Sequence, residues 1–87
     1  MKIHRIDQLV KKDIPLYYRN EYEGLGDIEF LSGSRQQIAL EFTVEIKPTG
    51  ERVIDVKIKE RIDYPLLPVI RALKEKIKML EENGDLR

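Results

Sequence analysis

Cationic and aromatic side chains interleave between positions 11 and 22, and this Lys/Tyr segment is the part of the sequence best suited to binding a ligand. The residues that share the pattern are Lys11, Lys12, Tyr17, Tyr18, Arg19 and Tyr22. Grooves that bind single-stranded nucleic acid combine cations, which contact phosphates, with aromatic rings, which stack on bases. The alternative is that the tyrosines pack in the core and the lysines are ordinary surface residues.

Acidic side chains follow this segment directly, at Glu21, Glu23, Asp27 and Glu29. Carboxylates are ligands that Ca²⁺ and Mg²⁺ prefer, and the glycines among them would let a loop fold around an ion. The spacing fits no EF-hand loop, and the acids stay solvated if the first two and the last two lie on different faces. We therefore expect no metal site, and we expect the acids to repel a phosphate backbone.

Catalytic chemistry finds little support in the sequence. His4 is the only histidine, and neither Ser32 nor Ser34 lies in a nucleophile-elbow pattern. With no cysteine, the chain has no thiolate nucleophile, no disulfide framework and no cysteine zinc site. The sequence predicts a protein that is not an enzyme and that uses no cofactor.

The composition indicates one small domain. A chain of 87 residues can hold one hydrophobic core, so we expect a single domain over residues 1–87. The 16 basic and 16 acidic side chains cancel, which disfavours nucleic acid or an anionic membrane as the partner. Charges close to the N-terminus fit no secretory signal, and no apolar run approaches the length of a membrane span. We therefore expect a cytoplasmic protein.

The first third of the chain gives weak structural signals. Apolar residues recur at spacings of three and four at Ile3, Ile6, Leu9 and Val10. This spacing fits one face of a short N-terminal helix over residues 2–12 better than it fits a strand. Pro15 disfavours helix before it, so residues 16–18 are predicted to be extended. Glycines predict a turn over residues 24–27, and a short strand should follow over 28–31.

The strongest pattern is the alternation of apolar and polar residues over 37–46, which is followed by a second alternation over 53–59. Pro48 suits the first central position of a type I turn, and Gly50 suits the left-handed residue that closes it. The two segments are therefore predicted to form a β-hairpin with a three-residue loop.

Pairing Lys47 with Glu51 sets the register of this hairpin. The inward pairs are then all apolar, namely Val44 with Ile54, Phe42 with Val56 and Leu40 with Ile58. A shift of one residue would set apolar against charged side chains. On the outward face, Glu41 would lie opposite Lys57 as an ion pair of favourable sign.

An amphipathic helix is predicted at the C-terminus. Prolines are disfavoured inside a helix, so the helix should begin near Pro68. An apolar stripe follows, made of Val69, Ile70, Leu73, Ile77 and Leu80. Gly84 suits the residue after the last turn, which gives a helix over about 68–83. The fold class is therefore α+β: a small antiparallel sheet built around the 37–46/53–59 hairpin, with this helix on one face.

Two functional hypotheses follow. The first is a small non-catalytic protein-interaction module that self-associates, with another protein or a second copy as its partner. It rests on the small core, which dimerisation would support, and on strand 53–59, which the hairpin can leave at a sheet edge. Lys57 and Lys59 could instead protect that edge. The alternative is a single-stranded nucleic-acid-binding module that uses the Lys/Tyr segment.

Overall fold

In a computed structural model, which describes residues 1–86, the chain forms four strands followed by one helix. The strands are β1 (Lys2–Lys11), β2 (Arg19–Glu29), β3 (Arg35–Ile46) and β4 (Arg52–Ile58), and the helix is α1 (Leu66–Glu82). Each strand pairs antiparallel with the next one along the chain, so the order in the sheet is β1-β2-β3-β4. The predicted α+β class, with a sheet followed by a C-terminal helix, is confirmed.

The hairpin of β3 and β4 has the register that the sequence predicts. The inward pairs are Leu40 with Ile58, Phe42 with Val56 and Val44 with Ile54. The N–H of Lys47 donates to the carbonyl of Glu51 over 2.8 Å and closes the loop. Gly50 has a φ of +88°, which a residue without Cβ adopts at no steric cost. Turn chemistry and side-chain alternation therefore agree, and this agreement fixes the register.

Residues 2–12 do not form the predicted helix, because Lys2–Lys11 is strand β1. The register of β1 against β2 shifts between Ile3 and Arg5 and again between Asp7 and Val10. Each shift adds a residue to β1, so the helix-like spacing of three between Ile3 and Ile6 spans only the two-residue step from Ile28 to Gly26 on β2. A bulged strand thus carries an apolar spacing that a regular strand does not have.

The predicted turn at residues 24–27 is also wrong, because Gly24 and Gly26 lie inside β2. These glycines provide space for neighbouring side chains. A Cβ at Gly24 would lie 3.0 Å from Cγ2 of Ile6, and one at Gly26 would lie 3.0 Å from Cδ2 of Leu40. Their role is close approach inside the sheet, which a turn prediction cannot anticipate.

The connection between β1 and β2 contains residues 16–18, which were predicted to be extended. Pro15 lies at a bend, and a turn at Tyr17 and Tyr18 leads the chain into β2. The carbonyl of Tyr18 accepts a 2.7 Å hydrogen bond from the N–H of Ile46. The chain therefore reverses here, and the end of the connection is fastened to the last residue of β3.

Helix α1 begins at Leu66, two residues before the predicted start. Pro68 is therefore in the first turn, where a backbone N–H has no acceptor within the helix, so its missing N–H costs no hydrogen bond. At the other end Gly84 has a φ of +76°, and its N–H donates to the carbonyl of Glu81 over 3.2 Å. The predicted glycine stop is confirmed.

The core lies between α1 and one face of the sheet. Its buried apolar side chains are Ile6, Tyr22, Ile28, Phe30, Ile38, Leu40, Phe42, Val44, Val69, Leu73 and Ile77. The backbone of α1 comes closest to those of β1 and β4, the two edge strands, so the sheet curves around the helix. The predicted burial of Phe42 and Leu73 under this lid is confirmed. Over residues 1–86, no helix combines the length and the apolar character needed to cross a bilayer.

Candidate functional site

The sheet surface that faces away from α1, here called the open face, is covered by charged side chains. The acids of β2 all point to it, because Glu21, Glu23, Asp27 and Glu29 are separated by even numbers of residues in one continuous strand. The alternative that these acids lie on two different faces is therefore wrong. What keeps four carboxylates together on one face is the set of cations around them.

Asp27 anchors one half of the open face. Its side chain is only 6% exposed, and its Oδ2 lies 2.7 Å from Nη2 of Arg35 and 3.6 Å from Nη2 of Arg5. The hydrogen bond from Arg35 holds the pKa of Asp27 below its ordinary value. Next to it, Nε2 of His4 lies 2.7 Å from Oε1 of Glu29, and this hydrogen bond lowers the pKa of Glu29.

Two lysines bridge the acids in the other half of the open face. Nζ of Lys12 lies 3.2 Å from Oε1 of Glu23 and 3.3 Å from Oε2 of Glu41. Nζ of Lys59 lies 3.1 Å from Oε1 of Glu41. Hydrogen bonds to Lys59 and then Lys12 lower the pKa of Glu41, while those to Glu23 and Glu41 raise the pKa of Lys12. Lys57 does lie opposite Glu41, but the predicted ion pair between them does not form.

This pairing leaves little capacity for a cation on the acids of β2. Among residues 1–86, no three acidic or histidine side chains converge where they could hold a metal ion. The carboxylates are compensated instead by arginine, lysine and histidine side chains of the same chain. That the acids bind no metal tightly stays a prediction for titration.

The Lys/Tyr segment is divided between different environments. Lys11 is exposed, and it borders a shallow depression together with Tyr17, which is 96% exposed. Tyr18 is 45% exposed, and its ring meets that of Tyr17 edge to face, with centroids 6.4 Å apart. Arg19 Nε lies 3.7 Å from Oε2 of Glu21.

The remaining two members of the segment are engaged elsewhere. Lys12 lies between the two glutamates of the open face. Tyr22 is 4% exposed and packs in the core, where burial raises the pKa of its hydroxyl group. The structure therefore brings Lys11, Tyr17, Tyr18 and Arg19 to one end of the sheet, and it removes Lys12 and Tyr22 from that group.

The two edges of the sheet differ in regularity. Strand β1 has two register shifts, and Gln8 between them has a φ of +52°. Bulges of this kind interrupt the row of outward backbone groups and hinder pairing with another strand. Strand β4 pairs with β3 without a register shift from Arg52 to Ile58. The edge that the hairpin was expected to leave open is therefore the regular one.

β4 also carries the charges of the open face that stay unmatched. Asp55 and Lys57 point to that face and are exposed. Neither forms an ion pair with another residue in the part of the chain that the structure describes. The acids of β2, in contrast, each have a cation within 4 Å.

A protein-family model described as the BB-0187 family matches residues 1–82. The chain belongs to this family. No curated protein matches the chain, and no solved structure does. The family description states no activity, so the match defines relatedness but not function.

The region that the family model matches contains the open face, the Lys/Tyr segment and β4, together with all of α1. Within it, the unmatched pair Asp55 and Lys57 was missed by sequence reasoning, which assigned Lys57 to Glu41. The available signal was the order of residues in β4 itself: Ile54, Asp55, Val56, Lys57 and Ile58 have the same apolar positions, with opposite charges, when read in either direction.

Proposed function

We propose that this member of the family is a small non-catalytic protein-interaction module that self-associates. The observation that carries the proposal is the outer edge of β4, a regular seven-residue strand at the margin of the sheet. An edge of this kind presents unpaired N–H and carbonyl groups that another strand can complete. The small core of such a short chain would gain stability from the added burial.

The arrangement of the side chains with nucleophilic or basic chemistry supports a non-catalytic function. The hydroxyl groups of Ser32 and Ser34 lie 2.9 Å from each other in an exposed turn, and His4 bonds to Glu29. These contacts give a serine no base to activate it. We place the protein in the cytoplasm on the sequence grounds given above, and we propose no cofactor.

Sedimentation velocity over a wide range of protein concentrations tests the self-association. We expect the weight-average mass to rise from that of one chain to that of two as the concentration increases. A mass that stays at one chain up to the highest concentration would contradict the proposal.

A single-stranded nucleic-acid-binding module is the second candidate. It is favoured by the nearly complete exposure of Tyr17 beside Lys11, with Tyr18 and Arg19 close by. The candidate site is narrower than the sequence suggests, because Tyr22 and Lys12 no longer belong to it.

Fluorescence anisotropy with a labelled single-stranded oligonucleotide tests this candidate. Binding through phosphates should weaken steeply as salt increases, and Tyr17→Ala should weaken it by removing a stacking platform. Leu31→Ala is the matched control, because Leu31 is also exposed, at 82%, but lies in the turn between β2 and β3. Equal affinities of the two variants would exclude stacking on Tyr17.

A further inference from the structure

We infer that two copies of the chain join through antiparallel pairing of their β4 strands, with Val56 of both copies on the two-fold axis. The inference rests on the proposed self-association and specifies its surface and register. The product is one continuous eight-stranded sheet that carries a helix from each copy on the same side.

The backbone groups that are free for this pairing follow from the hydrogen bonds to β3. The N–H of Lys47 donates to Glu51, and the N–H of Lys59 donates to Ala39, so these residues form hydrogen-bonded pairs. Such pairs alternate along an antiparallel ladder, so Val53, Asp55 and Lys57 direct their backbone groups toward β3. The even-numbered residues from Arg52 to Ile58 direct theirs outward.

Space beside the outer edge accommodates a second strand. An open groove runs between β4 and the charged side of α1, and it is lined by Arg52, Ile54, Lys74 and Lys78 among others. The helix therefore stands beside β4 and does not lie across its edge. On β1, the bulges prevent an equally regular ladder.

Side-chain complementarity selects one register. With Val56 opposite Val56 of the second copy, Asp55 of each copy lies opposite Lys57 of the other, which gives two ion pairs related by symmetry. These positions form a non-hydrogen-bonded pair, in which facing side chains come closest. The charges that stay unmatched in the single chain thereby match each other.

The same register joins apolar side chains on the helix side of the sheet. Ile54 of one copy lies opposite Ile58 of the other, and Val56 meets its own equivalent. All three are only partly buried in the single chain, so pairing removes further apolar surface from water. Beyond the strand ends, Arg52 and Glu60 stand at mirrored positions and carry opposite charges.

Neighbouring antiparallel registers are less favourable. Moving the axis to Asp55 places two aspartates opposite each other, and moving it to Lys57 does the same with two lysines. Like charges directly opposite each other destabilise a strand pair. Only the register centred on Val56 avoids both contacts and also forms the two ion pairs.

Val56→Pro tests the interface by sedimentation velocity. Proline removes an N–H that points outward, so the pairing of β4 with β3 is kept and circular dichroism should show a folded chain. By symmetry both hydrogen bonds at the axis are lost and two rings meet there, so the dissociation constant should rise by about 100-fold or more. Val56→Ala is the matched control, because it shortens the side chain but keeps the N–H, and it should still dimerise.

Charge reversal tests the register. Asp55→Lys and Lys57→Asp should each weaken self-association, because they place like charges opposite each other. An equimolar mixture of the two variants should form the heterodimer, in which both opposed pairs again have opposite charges. This recovery depends on contacts between chains, so loss of stability within one chain cannot imitate it.

Each outcome has a distinct meaning. If the wild type dimerises but folded Val56→Pro dimerises equally well, β4 is not the interface, although the protein still self-associates. If Val56→Pro is monomeric but mixing the charge variants restores nothing, the register centred on Val56 is wrong. A wild type that stays monomeric at every concentration overturns both this inference and the proposed self-association.

Discussion

The ring of Tyr22 stacks on the ring of Phe42, with centroids 4.9 Å apart and planes inclined by 18°. The two residues are register partners on β2 and β3, and both point toward α1. Aromatic pairs across neighbouring strands add to the stability that burial alone provides. Tyr22 is therefore a core residue, although in the sequence it closes a segment typical of nucleic-acid binding.

Tyr22→Ala should destabilise the fold strongly. The substitution removes a buried ring and leaves a cavity beside Phe42, and comparable aromatic truncations cost about 3 to 5 kcal/mol. Tyr22→Phe keeps the stacked ring, so it should change the free energy of unfolding by less than about 1 kcal/mol. Urea denaturation of both variants measures the difference. Similar losses in both would show that the hydroxyl group, and not the ring, determines the stability.

Phe42→Ala and Leu73→Ala should each cost about 2 to 5 kcal/mol, because both side chains are fully enclosed between the sheet and α1. Thr43→Ala is the matched control on the open face, and it should cost less than about 1 kcal/mol. Denaturant melts followed by circular dichroism provide the comparison. A Leu73→Ala variant that melts like the wild type would mean that α1 is not packed on the sheet in solution.

The sequence was most informative where two independent signals applied to the same residues. Between residues 37 and 59, turn chemistry and alternation gave one register, and the structure has that register. In β1, the apolar spacing alone predicted a helix, because a strand with two bulges imitates it. Local pattern cannot distinguish these cases, since only pairing with β2 shows where the extra residues lie.

The charged surface could be predicted only in part. The acids of β2 are evident in the sequence, but their partners come from distant positions, such as Arg35 for Asp27 and Lys59 for Glu41. These contacts depend on the register of neighbouring strands and on which lysine has the reach. The sequence therefore shows that the open face is ionic but not which pairs form.

Gly26→Ala should be destabilising, although glycine inside a strand usually weakens it. The added methyl group would lie 3.0 Å from Cδ2 of Leu40 and 3.5 Å from Cδ2 of Leu73, and overpacking of this kind costs about 1 to 3 kcal/mol. Leu40→Val removes the closer methyl group. In a double-mutant cycle measured by urea denaturation, the combined variant should therefore lose less than the sum of the single losses. Strict additivity would contradict a direct contact.

The ion pairs of the open face should make the stability depend on acid. Folding lowers the pKa of Asp27, mainly through the hydrogen bond from Arg35, so the folded chain favours the ionised carboxylate more than the unfolded chain does. This contribution is fully present above the unfolded pKa of about 4, and it is lost as the pH falls through the lower folded value.

Asp27→Asn should therefore lower the free energy of unfolding at neutral pH and flatten its decrease in acid, because asparagine carries no charge to lose. Asp13→Asn is the matched control, since Asp13 is exposed and forms no ion pair within residues 1–86. Denaturant melts from about pH 7 to about pH 2 give both profiles, and that range spans the titration of ordinary carboxyl groups. Parallel profiles for the wild type and Asp27→Asn would mean that Arg35 does not hold Asp27 in its ionised form. Glu41 can then be tested in the same way, because its pKa is lowered by two lysines from different parts of the chain.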